Sequence, residues 1–149
     1  MSDYIKELRK TLGHQPITIP HSVVILFNEM NQVLLEERAD DGYFDFPGGG
    51  KDPNESEEAA ARRELLEETG LVANKLELFK VYTGEITHYV YFNGDEIYGI
   101  DSVFICRDYS GELKPQIEEV KKLRFFDLNN MPEKMSIRNK QIIKDLINV

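Results

Sequence analysis

The sequence predicts an α/β fold, in which a mixed β-sheet is covered by helices on its faces. Two observations lead to this prediction: a long, regular helical segment lies mid-chain, and β-rich segments separated by turn residues lie before and after it. The 149 residues are enough for one hydrophobic core, and no repeat or linker divides them. We therefore expect residues 1–149 to form a single domain, with residues 1–20 as an N-terminal helix and lead-in.

The first third of the chain is predicted to contain one helix and three extended segments. Apolar residues recur at helical spacing from Asp3 to Leu12, and Gly13 follows as a helix stop. Residues 21–28 and 32–38 are two β-rich runs separated by three residues, a spacing that predicts an antiparallel hairpin. A loop of turn-forming residues comes next, with a short extended piece at residues 44–46.

The clearest helix is predicted from Glu55 to Thr69. This segment lacks Gly and Pro, is rich in Ala, Glu, Arg and Leu, and precedes Gly70, a residue suited to the left-handed conformation that ends helices. Asn93-Gly94 lies between two β-rich runs and predicts a hairpin, while Ser136 precedes an amphipathic closing helix as its N-cap. The predicted later strands are residues 75–84, 87–93, 96–108 and 121–128.

Composition and charge limit the function classes. The net charge of −9 argues against binding a nucleic-acid polymer through a basic surface, but it allows a small nucleotide carried with a divalent cation. Cys106 is the only cysteine, so no internal disulfide can form, and its apolar flanks indicate a buried strand. No apolar run is long enough for a membrane span or a signal peptide, so we expect a cytoplasmic protein with no membrane contact.

The mid-chain helix places several carboxylates on one face. Glu67 and Glu68 lie three and four residues after Glu64, a spacing that places all three on one face of a helix. Like charges at this spacing repel one another. Arg62 and Arg63 can offset part of this repulsion, and a hard divalent cation such as Mg²⁺ can offset more.

Three glycines precede this helix and strengthen the case for a metal or phosphate site. Backbone groups of Gly48, Gly49 and Gly50 can approach a cation or a phosphate because no side chain intervenes. A flexible turn is the alternative interpretation of the glycines alone. A calcium loop is a poor alternative for the acidic residues, since DPNESEE lacks the alternating ligands of such a loop.

Residues 49–71 resemble the Nudix box, whose pattern is G-x5-E-x7-R-E-U-x-E-E-x-G-U, with U a bulky aliphatic residue. The fit has no gap: Gly49 and Glu55 are followed by Arg63-Glu64-Leu65, Glu67-Glu68 and Gly70-Leu71. The preceding segment YFDFPGG also resembles the usual lead-in to the box, so the loop-helix-loop is placed at residues 48–71. The likeness extends more loosely from about His21 to the end of the chain.

This resemblance implies an α/β/α sandwich with a mixed central sheet, and hydrolysis of a nucleoside diphosphate linked to another moiety X. It implies that Glu64, Glu67 and Glu68 bind Mg²⁺ or Mn²⁺, with a backbone carbonyl of the glycine loop, most simply that of Gly48. By the same resemblance, Arg63 and Glu55 brace the loop and the metal-binding glutamates. A Nudix-like module that senses a nucleotide without cleaving it is the alternative, and the intact glutamates argue against it.

Substrate contacts are expected outside the box as well as at Gly49 and Gly50. Arg38 can meet a phosphate, and Tyr43, Phe44 or Phe46 can stack on a base, although core packing is the preferred interpretation for the two phenylalanines. The three histidines are scattered and predict no metal site. Four points stay open: the identity of the moiety X, the number of metal ions, whether the protein is a homodimer, and which carboxylate is the general base. The candidates for the general base are Glu64, Glu67, Glu118 and Glu119.

Overall fold

The computed structural model describes residues 3–115 and 120–149, which contain three α-helices and eight β-strands. A 3-10 turn precedes the sixth strand, at Glu85–Thr87. The helices are α1 (Asp3–Leu12), α2 (Glu57–Thr69) and α3 (Ile137–Ile147). The strands are β1 (Ile17–Leu26), β2 (Val33–Arg38), β3 (Phe44–Asp45), β4 (Gly48–Gly50), β5 (Leu71–Tyr82), β6 (Tyr89–Val90), β7 (Glu96–Gly111) and β8 (Val120–Phe126).

The strands form two sheets. The larger sheet has the order β4-β1-β7-β5, with β6 paired to β7, and it is mixed because β1 and β7 run parallel while its other pairs are antiparallel. The smaller sheet is antiparallel, in the order β3-β2-β8. The predicted mixed sheet is therefore confirmed, with a second sheet beside it.

Strand β1 shows how the helices cover the sheet. Its successive side chains point to opposite faces, and both faces are apolar. Val23 and Ile25 pack in a cluster with Ile142 of α3, whereas Val24 packs on the other side with Leu65 of α2. The sheet thus lies between two helices, as the α/β/α prediction requires.

Helix α2 begins two residues later than predicted. Its N-cap is Ser56, whose hydroxyl accepts a hydrogen bond from the Ala59 amide at 3.1 Å. Glu55 lies outside the helix because its carboxylate binds the Asp52 amide and the Arg63 guanidinium instead. The predicted helix end is confirmed: Gly70 adopts a left-handed φ of 79°.

The predicted hairpin between the first two β-rich runs is wrong. A turn is present, since the Asn28 side chain accepts from the Met30 and Gln32 amides and a single bridge joins Phe27 to Val33. The strands then separate into different sheets. Because β1 is apolar on both faces, it takes a central position between β4 and β7, where two helix layers bury it.

Strand β4 (Gly48–Gly50) lies in a stretch that was predicted as a loop, because it pairs with β1, and the remaining predicted elements agree with the structure apart from their bounds. The hairpin at Asn93-Gly94 is confirmed, with Tyr89 opposite Ile97. The strand predicted at residues 87–93 is shorter than expected, since only Tyr89–Val90, after the 3-10 turn, are in strand conformation. Ser136 caps α3 as predicted, and Cys106 is fully buried. Helix α1 ends before Gly13 and packs Ile5 on the larger sheet. None of the described helices is both long and apolar enough to span a membrane.

Candidate active site

The glycine strand β4 brings the start of the motif against both β1 and α2. Gly48 pairs with Val23 and Gly49 with Ser22 in antiparallel register. A Cβ atom on Gly49 would lie 2.6 Å from the carboxyl carbon of Glu64, and one on Gly48 would overlap the carbonyl oxygen of Ser22. Glycine is needed here because a glutamate carboxyl and a neighbouring backbone occupy the space of a side chain.

Arg63 connects the glycine strand, the loop and helix α2. Its Nε and Nη2 atoms donate to the two carboxylate oxygens of Glu55 at 2.7 and 2.9 Å, a bidentate pair. Nη2 also donates to the carbonyl of Gly50 at 3.0 Å, and Nη1 donates to Glu64 at 2.8 Å. The hydrogen bond from Arg63 holds the pKa of Glu55 below its usual value. Arg63 is therefore placed to orient Glu64 relative to β4.

The three glutamates of the motif occupy different environments. Glu64 is 2% exposed and Glu68 is 5% exposed, and both lie against β4. Glu67 has half of its side chain in solvent and lies 3.4 Å from Arg63. Burial raises the pKa of Glu64, although the contact with Arg63 opposes this shift. Within the described ranges, no three His, Cys, Asp or Glu side chains converge as a ready metal cage.

Glu68 contacts a carboxylate that sequence reasoning did not single out. The Gly48 amide donates to Glu68 Oε1 at 2.8 Å, and the carboxyl of Glu36 on β2 lies within hydrogen-bonding reach of Glu68. Burial, together with the charge of Glu64, raises the pKa of Glu68 to about 8, and burial also raises that of Glu36. Two acidic groups this close share a proton or require a cation.

The donor set fits a hard divalent cation. The groups around Gly48 and Gly49 are carboxylate oxygens, the ligand type that Mg²⁺ and Mn²⁺ prefer. Glu36 Oε2 is buried with no hydrogen-bond partner in the described part of the chain, so oxygen lone pairs remain for a cation. A cation would also remove the like-charge repulsion within the group.

Two adjoining cavities open beside the glycine strand. One, of about 280 Å³, is lined by Glu36 and Glu68, and its neighbour, of about 130 Å³, is lined by Phe44 and Tyr89. Arg38 lines both cavities. Its guanidinium binds Asp40 at 2.7 and 3.0 Å and lies over two tyrosine rings.

The aromatic residues expected near the glycine loop do not all reach the cavity to the same extent. Phe46 is 2% exposed and packs in the core cluster with Val23 and Phe126, in line with the preferred interpretation, and it also borders the smaller cavity. Phe44 is partly buried, with its ring edge-on to Phe126. Tyr43 is 42% exposed at the cavity wall.

A buried polar network that the sequence did not reveal lies across the smaller cavity. Asp101 on β7 is 2% exposed and accepts from His21 at 3.0 Å and from Arg138 at 2.9 Å. Asp45 accepts from Arg138 at 3.2 Å and from Asn139 at 2.7 Å. Spacing along the chain gives no signal for these pairs, because their members come from four different elements.

The downstream acids Glu118 and Glu119, proposed as alternative general bases, lie outside the described residues.

Comparison with known proteins identifies the family. A model of the NUDIX domain matches residues 18–146. An ADP-ribose pyrophosphatase from Methanocaldococcus jannaschii is 36% identical over 118 residues, covering 77% of this chain and 65% of that protein. An RNA pyrophosphohydrolase from Pseudomonas putida is 38% identical over 65 residues, covering 44% and 41% respectively. The chain therefore spans less than two thirds of the length of these curated relatives.

Solved structures share the fold. A MutT NUDIX hydrolase from Burkholderia pseudomallei superposes with a TM-score of 0.71 at 23% identity, covering 87% of this chain and 97% of that one. The NUDIX domain of Shewanella oneidensis NrtR, complexed with ADP ribose, gives a TM-score of 0.70 at 19% identity, covering 99% and 98%. Since the family model also spans most of the sequence, the protein belongs to the NUDIX domain family.

Proposed function

We propose that the protein is a Mg²⁺- or Mn²⁺-dependent pyrophosphohydrolase that cleaves the diphosphate bridge of a nucleoside diphosphate linked to a moiety X. One observation carries the proposal. The buried carboxyls of Glu64 and Glu68 lie against a glycine strand, beside a cavity that Arg38 also lines. This arrangement combines a cation site with a cationic side chain for phosphate, and diphosphate hydrolysis needs both.

Glu64, Glu67 and Glu68, with the carbonyl of Gly48, would hold the cation. When bound, a divalent cation neutralises phosphate oxygens and makes a water more acidic. Arg63 orients Glu64 through its Nη1 hydrogen bond. A carboxylate must accept the proton of the attacking water, and Glu64 and Glu67 are the described candidates.

Arg38 supplies charge to the substrate side of the cavity. It is held between Asp40 and the rings of Tyr89 and Tyr91, so its guanidinium is positioned before substrate arrives. Tyr43 at the cavity wall offers an exposed ring for stacking on a base. We expect a small nucleotide as substrate and a cytoplasmic setting, where such nucleotides are found.

ADP-ribose is the first candidate substrate. The relative that shares 36% identity over 77% of this chain is an ADP-ribose pyrophosphatase, and the superposable NrtR domain is complexed with ADP ribose. Nucleoside triphosphates, including oxidised ones, dinucleoside polyphosphates and nucleotide sugars follow as further classes for the test.

The test is product release from a panel of these nucleotides, with Mg²⁺, with Mn²⁺ and with a chelator. We expect AMP and ribose 5-phosphate from ADP-ribose only when a divalent cation is present. Absence of turnover across the panel with both cations would overturn the proposed activity.

A nucleotide-sensing module without catalysis is the second candidate. The NrtR domain, which aligns over 99% of this chain, is complexed with ADP ribose, and binding of such a ligand is compatible with either candidate. Titration calorimetry separates the two: tight ADP-ribose binding without any product after prolonged incubation with Mn²⁺ supports sensing, whereas product formation excludes it.

A further inference from the structure

Glu36 on β2 is a buried carboxylate outside the motif of residues 49–71, yet it faces the candidate site. Its residue exposure is 5%, and it lines the larger cavity together with Gly48, Gly49 and Glu68. Strand β2 belongs to the smaller sheet, whereas Gly48 and Gly49 belong to the larger one. The packing of the two sheets therefore brings Glu36 to the motif.

The Glu36 carboxyl is incompletely satisfied where it lies. It contacts Glu68, whose Oε1 atom already accepts the Gly48 amide at 2.8 Å. Its Oε2 atom is buried and has no hydrogen-bond partner among residues 3–115 and 120–149. A buried oxygen without a donor is unfavourable unless another group, such as a cation, supplies the missing interaction.

Neighbouring carboxylates add negative charge around Glu36 and Glu68, which also favours binding of a cation. Asp45 is the residue opposite Glu36 in the pairing of β2 with β3, and Glu64 acts on Glu68 from α2. The nearby cation Arg38 offsets part of this negative charge, but Asp40 also engages it through two hydrogen bonds. The buried pair thus lies in a region of excess negative charge.

We propose that Glu36 is an additional carboxylate of the divalent-cation site, acting with Glu68 of the motif. The inference rests on the proposed function, because it assigns Glu36 to the same cation. A hard cation that accepts several carboxylate oxygens satisfies both Glu36 Oε2 and the contact with Glu68. The alternative is a structural pair that shares a proton and takes no part in metal binding.

The test measures Mn²⁺ binding by titration calorimetry without any nucleotide, so it does not depend on turnover. We compare the unaltered protein with Glu36→Gln, and use Glu77→Gln as a matched control because Glu77 is an exposed strand residue on β5. Glu36→Gln is expected to weaken Mn²⁺ binding by about 10- to 100-fold, while the control is unchanged.

Thermal unfolding with and without Mn²⁺ provides a second readout. Without metal, Glu36→Gln is expected to melt at or above the temperature of the unaltered protein, because a Gln amide can donate to Glu68. With Mn²⁺, its gain in melting temperature is expected to be smaller. Should Glu36→Gln fail to fold, Glu36→Asp, whose carboxylate is one methylene shorter, is measured in its place with the same expected weakening.

The outcomes distinguish this inference from the proposed function. Equal Mn²⁺ affinity for Glu36→Gln and the unaltered protein overturns the role of Glu36 and leaves the proposed activity standing. If the unaltered protein itself binds no Mn²⁺, both the role of Glu36 and the metal-dependent activity are overturned.

Discussion

At the scale of single residues, burial separates three glutamates that the helical repeat treats as equivalent. Glu64 and Glu68 are nearly inaccessible, whereas half of the Glu67 side chain is in solvent. A buried carboxyl needs a partner, and here Arg63 serves Glu64 while the Gly48 amide serves Glu68. Substitutions in this group should therefore differ in how far they affect stability.

Glu67→Gln is expected to lower kcat by about 100- to 1,000-fold while leaving the melting temperature close to that of the unaltered protein. The reason is that Glu67 is half exposed, so its loss removes charge from the proposed cation site without breaking buried packing. Glu58→Gln is the control, since Glu58 is exposed on the same helix. Steady-state kinetics and thermal unfolding check this, and an undiminished kcat for Glu67→Gln would remove Glu67 from the site.

Arg63 and Glu55 are expected to act as one unit. Arg63→Lys should destabilise the protein by about 2 kcal/mol, because lysine cannot reproduce the bidentate contact with Glu55. In the double variant with Arg63→Lys and Glu55→Gln, the loss of unfolding free energy should be smaller than the sum of the losses in the two single variants. Urea unfolding of the four proteins measures this coupling, and strictly additive losses would contradict it.

At the scale of elements, the short strand β4 does more than provide a flexible connection. It pairs with β1 in regular register, and it presents a side-chain-free surface to the carboxyl of Glu64. The three consecutive glycines are not equivalent, because each faces a different neighbour. A Cβ on Gly50 would meet Ile5 of α1 at 3.5 Å, an ordinary contact distance.

Alanine substitutions along β4 should therefore have three different effects. Gly48→Ala is expected to destabilise the fold by about 1–3 kcal/mol, because its Cβ meets the β1 backbone, which cannot easily move. Gly49→Ala should displace the Glu64 carboxyl and reduce turnover with a smaller loss of stability. Gly50→Ala serves as the control, with little change in either property. Kinetics and thermal unfolding of the three variants check this order, and equal behaviour would contradict it.

At the scale of the whole molecule, the network around Asp101 ties the sheets to the closing helix. His21 of β1 and Arg138 of α3 both donate to Asp101 of β7, and Arg138 also reaches Asp45 of β3. Burial disfavours the charge of Asp101. The hydrogen bond from His21 and the charge of Arg138 outweigh it, so the pKa of Asp101 lies below its usual value.

Asp101 should therefore make stability depend on pH in the acid range. Because its folded pKa is lowered, its contribution is fully present above about pH 4 and is lost as pH falls through the folded value. Asp101→Asn should lower the unfolding free energy at pH 7 and flatten its decline below pH 4. Urea unfolding from pH 2.5 to 7 measures this, with exposed Asp127→Asn as control. A variant as acid-sensitive as the unaltered protein would contradict the role of the network.

The local sequence accounts for much of the fold and for the motif. The end of α2 at Gly70, the cap of α3 at Ser136 and the Asn93-Gly94 hairpin follow from short-range backbone preferences, so they can be predicted from neighbouring residues. The resemblance to the Nudix box follows from residue types at fixed spacing along one segment, residues 49–71.

Long-range packing decided those features of the fold and the site that neighbouring residues do not determine. Separation of β1 and β2 into two sheets depends on which strand can be covered on both faces, and burial of Phe46 depends on the same layers. Glu36 reaches Glu68, and His21 reaches Asp101, only because sheets and helices pack together. The sequence by itself determined the motif and the helix that carries its glutamates. The tertiary structure decided that the glycines form a strand and which additional charges surround the motif, because strand pairing and electrostatic contacts depend on distance in space and not on separation along the chain.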